Sequence, residues 1–124
     1  MKRVPLRYLC APSLRPVNSD SGMPYVGLEC VEPRSGSLRN HDLPRHESQH
    51  ALLAPSGSVI FGKLRPYLGK SLRVARPLAV SPEFLVLIPA QAMDARFLAY
   101  LARSYDFMSA AVESVEGVKM PRTS

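Results

Sequence analysis

At 124 residues, 46% of them hydrophobic, the chain is long enough to bury one core and reads as a single domain over 1–124. Twelve prolines and seven glycines argue against a helical bundle, no apolar run approaches the ~20 residues that cross a membrane, and two cysteines, Cys10 and Cys30, are too few for a disulfide scaffold and too far apart for a zinc knuckle. The net charge of +6 is unevenly placed: residues 1–80 hold twelve of the sixteen Lys/Arg but five of the ten Asp/Glu, so this part is expected to face an anionic partner, most commonly nucleic acid, with a merely solvated basic surface as the alternative.

The chain opens on MKRVPLRYLC, which has no apolar stretch of signal-peptide length behind it, so a cytoplasmic location is expected. Alternation in PLRYLC (5–10) predicts a short strand, and the turn-rich APSLRPVNSDSG follows. PYVGLECVEP (24–33) alternates again and predicts a strand with Val26, Leu28 and Cys30 on one face. RSGSLRNHDLPR (34–45) is polar and full of turn formers, and SQHALLA (48–54) is extended up to the turn Pro55-Ser56-Gly57. SVIFGKL (58–64) and SLRVA (71–75) read as strands, and FLVLI (84–88), apolar on both faces, as a buried one. From Asp94 the period changes. Phe97, Leu98, Leu101, Tyr105, Met108, Val112 and Val115 recur at helical steps, with Asp94 and Ser104 as caps and Gly117 as the stop. That stripe is expected to pack on the sheet. The predicted fold class is α+β, a β-rich basic part followed by a C-terminal strand and helix pair.

HESQH (46–50) matches H-E-x-x-H, which on a helix holds zinc for a peptidase. The chemistry requires both imidazoles on one helical face. Pro44 and Pro55 bracket this segment, and an extended backbone at about 3.3 Å per residue would hold His46 and His50 about 13 Å apart. No later His offers a third ligand. The two histidines are therefore expected to be loop or strand residues, with the zinc peptidase kept as a remote rival.

VIFGKLRPYLGK (59–70) is the most informative stretch. Lys63, Arg65, Tyr67 and Lys70 follow Gly62 within eight positions, Arg73 and Arg76 come next, and no acid intervenes. A tight connection carrying cations and an aromatic suits a phosphate backbone. It equally suits a hairpin whose Leu64 and Leu68 fill the core while the cations are solvated.

VIFGKLRPYLGK, VSPEFLVLIPA (80–90), DARFLAYLARSYDF (94–107) and GVKMPR (117–122), preceded by VPLRYLC (4–10) and YVGLECVEPRSG (25–36), together resemble the target recognition domain of the specificity subunit of type I restriction–modification systems. The resemblance runs in order over nearly the whole chain. Ser58, Cys30 and Tyr105 stand where the family usually has Asp, Asn and Pro. It implies a DNA methylase specificity-domain-like fold that is not an enzyme. Such a domain reads one half of a split double-stranded DNA target and places methyltransferase subunits over it, and it serves the restriction subunit indirectly. A second specificity half completes the target. No cofactor is expected in the domain, since S-adenosylmethionine and ATP belong to the partner subunits. The family continues past the position of PRTS into a spacer helix, so the chain reads as one domain truncated before that helix. A remnant with only non-specific DNA binding is the alternative within this reading.

A motif shared by domains with different targets cannot encode one target. Lys63, Arg65, Tyr67 and Lys70 are therefore expected to contact the DNA backbone or to set the geometry of their loop, and Arg73 is expected to bind DNA. Base reading is expected from Arg34, Arg39, Asn40, His41, Arg45 and Gln49, because Arg pairs with guanine and Asn or Gln with adenine.

Overall fold

A computed structural model describes residues 10–18, 21–64 and 68–90. They build two sheets. The larger contains β1 (Cys10–Ser13), β4 (Val59–Gly62), β5 (Ser71–Arg73) and β7 (Phe84–Pro89) in the order β1-β7-β4-β5, antiparallel throughout. The smaller contains β2 (Tyr25–Val26), β3 (Leu52–Ala54) and β6 (Leu78–Val80) in the order β2-β6-β3, with β2 parallel and β3 antiparallel to β6. A 3-10 turn at Leu28–Cys30 follows β2. The described residues contain no α-helix, and the expected terminal helices lie outside them.

The core lies between the sheets. The register aligns Leu72, Ile60 and Val86 in one row across β5, β4 and β7, and these meet Val26, Ala54, Leu78 and Val80 of the smaller sheet. Because side chains alternate along a strand, Val59, Phe61, Leu85 and Leu87 occupy the opposite face of the larger sheet. They are buried as well, so β4 and β7 are apolar on both sides, as the run FLVLI predicts. A fully buried side chain of this size contributes about 1.5–3 kcal/mol. Pro12 is tolerated in β1 because, among the described residues, that strand lies at the sheet edge.

The β3–β4 connection is the expected Pro55-Ser56-Gly57 turn. Gly57 adopts φ +88°, a conformation that glycine accepts without a Cβ penalty. Ser58 closes the turn: its Oγ and its N–H both donate to the Pro55 carbonyl, at 2.6 and 3.1 Å. Val74 N–H then donates to the Ser58 carbonyl at 2.8 Å, which extends the β4–β5 ladder.

Three expectations need correction. The strand expected over 24–33 ends at Val26, because its partner β6 ends at Val80. Beyond it the backbone bonds locally, Cys30 N–H to the Gly27 carbonyl and Val31 N–H to the Leu28 carbonyl. Val26, Leu28 and Cys30 still face the core, by way of a 3-10 turn instead of a pleat. Residues 11–13, expected in a turn-rich stretch, continue β1 from Cys10 and pair with Ile88, Leu87 and Val86. Finally, β6, the centre of the smaller sheet, has no counterpart among the predicted strands. Its three residues lie between Pro77 and Pro82 and are too short to show a period.

Candidate nucleic-acid interface

Residues 27–50 carry most of the polar candidates, and their backbone is held by turns. Glu32 N–H donates to the Ser37 carbonyl at 2.9 Å and Arg39 N–H to the Cys30 carbonyl at 2.8 Å, with a single bridge between Val31 and Leu38. Val31 is buried and Leu38 packs on the core, so one apolar pair ties the loop down while its polar residues face out. At the far end, Tyr25 N–H donates to the Pro44 carbonyl and His46 N–H to the Met23 carbonyl, which lays 44–46 beside 23–25.

The six expected base readers are all exposed, and most also have work within the loop. Arg39 Nε lies 2.6 Å from Glu32 Oε1, with both side chains about half exposed (50% and 45%), a setting in which an ion pair adds about 0–1 kcal/mol. Asn40 Oδ1 accepts from Asp42 N–H at 2.9 Å, an Asx turn. Arg45 Nη1 donates to the Gly22 carbonyl at 3.0 Å. Gln49 Oε1 accepts from Glu47 N–H at 3.1 Å. Arg34 adopts φ +59° and donates its N–H to the Gly69 carbonyl at 2.9 Å. All of these side chains remain exposed alongside those bonds.

His41 lies in a cleft of about 440 Å³ between residues 36–43 and the stretch from Leu72 to Leu78. Leu38, Leu43, Leu72 and Leu78 supply apolar walls, and Arg73 and Arg76 join His41 as its basic lining. The structure thus brings an expected base reader together with an expected backbone contact. It adds Arg76, which the sequence shows only as one more cation after β5. Nothing local indicates that the chain beyond Arg73 turns toward the loop at 36–43.

The cation stretch resolves in part. Leu64 is 58% exposed, so it does not fill the core as the hairpin alternative requires. Lys63 is half-buried and its N–H donates to the Glu83 carbonyl at 2.8 Å. Lys70 is half-buried too, and its Nζ donates to the Leu28 carbonyl at 3.0 Å. Arg65 and Tyr67 lie outside the described residues.

The HESQH segment forms no helix. His46 is buried at 2% exposure, whereas His50 is exposed. A carbonyl can only accept, so His46 Nε2 donates to Gln49 O at 2.6 Å, and Nδ1 is left to accept from Ser21 Oγ at 2.8 Å. Both ring nitrogens are therefore engaged, and the ring stacks on Tyr25 with centroids 6.1 Å apart. His46 is a packing residue. No group of three or more His, Cys, Asp or Glu among the described residues is placed to hold a metal ion. Burial raises the Tyr25 phenol above its ordinary range, with Glu29 and Glu83 adding to the rise and a hydrogen bond to Ser81 opposing it, so the ring stays neutral.

No protein-family model and no curated protein matches the sequence. Among solved structures, the chain is similar to the HsdS subunit from Thermoanaerobacter tengcongensis, with a TM-score of 0.66 at 24% identity. The match covers 98% of this chain and 33% of that one, so the chain spans about a third of that subunit's length and shares the fold of that part.

Proposed function

We propose that this chain is a DNA-reading domain of the type I restriction–modification specificity class, which recognises one half of a bipartite duplex target. The observation that carries this is the shared fold with an HsdS subunit over nearly the whole chain. The same class is the one that the six sequence blocks quoted above resemble. On this reading the domain catalyses nothing. It positions methyltransferase subunits, serves the restriction subunit through them, and works beside a second specificity half in the cytoplasm. No helix among the described residues is long and apolar enough to cross a membrane.

Phosphate contacts set the register and base contacts set the sequence. Lys63, Arg73 and Arg76, together with Arg65 and Tyr67, are assigned to the backbone. Arg34, Arg39, Asn40, His41, Arg45 and Gln49 are assigned to base edges. The cleft at His41 is where the two sets adjoin.

Selection from a randomised duplex pool, with binding followed against salt, tests the proposal. About four to five phosphate contacts give a log–log salt slope near −4. Enrichment of a motif a few base pairs long is expected. Salt-sensitive binding without enrichment would reduce the chain to an electrostatic binder, and preference for RNA over duplex DNA would overturn the reading.

A further inference from the structure

The motif glycines and Lys70 lie where a phosphate-gripping loop is expected, yet their contacts run inward. Lys70 Nζ spends a hydrogen bond on the Leu28 carbonyl, 42 positions away in the chain. The Gly69 carbonyl accepts from Arg34 N–H at 2.9 Å. Gly62 N–H donates to the Lys70 carbonyl at 2.8 Å, so the three residues form one closed unit at the base of the β4–β5 connection.

The fit against residues 28–34 is close. A Cβ on Gly62 would lie 2.7 Å from Leu28 Cδ2, and one on Gly69, at φ +60°, would lie 3.0 Å from Arg34 Cγ. Arg34 itself holds φ +59°, a conformation that a residue with a side chain keeps only where its surroundings impose it. Between the two pinned ends, Val31 is fully buried. The stretch 28–34 is thus fastened by Lys70 at its start, by the core in its middle and by Gly69 at its end. Arg39, Asn40, His41 and Arg45 follow directly from that fastened end.

We infer that Gly62, Gly69 and Lys70 form a dock that sets the register of the base-reading segment, with Lys70 as a positioning residue rather than a phosphate contact. The inference rests on the DNA-reading function proposed above and deepens it. A rigid sheet references the reading side chains, and a shift of an ångström in the loop would redirect every one of them. Such a dock serves any target equally well, because it carries the reading loop and reads nothing itself.

The two roles leave different signatures. A lysine on a phosphate adds affinity uniformly across sequences and about 0.9 to the salt slope. A lysine that positions the loop changes which bases are preferred and leaves the slope in place. The test takes the full chain and the variants K70M, K70R and G62A through randomised-duplex selection and salt titration. The expected result is that K70M and G62A keep the parent slope and lose about tenfold of base preference at one or more positions, the scale of one good base contact. K70R, which still donates, restores the preference. G62A preserves every charge and carries the test if K70M does not fold. A K70M slope smaller by about 0.9 with preferences intact overturns the inference.

Amide hydrogen exchange separates this inference from the functional reading. In K70M the Arg34 amide, held by Gly69, is expected to exchange at least about tenfold faster while β4 and β7 amides are unchanged. Unaltered exchange at Arg34 overturns the dock whether or not the parent selects a motif. Faster exchange in a chain that selects no motif leaves the dock standing and removes the DNA-reading function.

Discussion

The larger sheet and the segment 27–50 solve the same problem in opposite ways. In the sheet, backbone groups bond one another in continuous ladders, and side chains on both faces of β4 and β7 are buried. In the segment, backbone groups bond within turns, to a lysine side chain, or to distant backbone, and one apolar pair holds the middle. The first arrangement leaves few side chains outside, with Arg73 of β5 among them. The second leaves more than half of them exposed. Rigidity in the segment is borrowed from the sheet, through a few specific bonds instead of a ladder.

The comparison would break most sharply at Phe61, which is fully buried on the central strand β4. Phe61→Ala is expected to cost about 3–5 kcal/mol in urea unfolding, with DNA binding lost together with the fold. A cost under about 1 kcal/mol would mean that the sheet is not the rigid partner. His46 is the segment's own anchor. His46→Ala is expected to cost about 1–3 kcal/mol, because Ser21 Oγ and the Gln49 carbonyl lose a buried partner. The exposed His50→Ala should stay within about 0.5 kcal/mol. Equal costs at the two histidines would contradict the placement of HESQH.

Arg39→Ala should change stability by less than about 1 kcal/mol, since its ion pair with Glu32 is half exposed. Its expected effect is on selection, where one position relaxes by about 1–3 kcal/mol of discrimination. Full retention of the motif would move base reading elsewhere in the segment. The last expected effect is on the sheet side and concerns pH. Burial pushes the Cys10 thiol up to about 11 from 9.0. The folded chain keeps a proton that the unfolded chain releases above pH 9. This stabilising contribution is therefore complete below pH 9 and is lost as pH rises through 11. Cys10→Ala should flatten that limb of the stability profile, measured as the difference from the parent between pH 8 and about 11.

What the sequence shows follows the same division. Strands such as FLVLI and VIFG are readable because continuous apolar runs need no partner to be recognised. The turn at Gly57 is readable because its residue types demand it. Leu78–Val80 is unreadable because three residues carry no period, although the smaller sheet is centred on it. The contacts that organise the segment are long-range: Lys70 to Leu28, His46 to Ser21, and the cleft that joins His41 to Arg76. No local pattern encodes these. The exposed candidates were legible as polar residues in a turn-rich stretch, but not as residues already committed to holding that stretch in shape.

The pairing of β1 with β7 places Cys10 directly opposite Pro89. Facing residues of antiparallel strands lie about 5 Å apart. Everything between them, both sheets and the whole polar segment, is therefore a single excursion of the chain that departs and returns at one point. A body tied off in this way can be set into a longer polypeptide through two adjacent joints and exchanged for another of the same design.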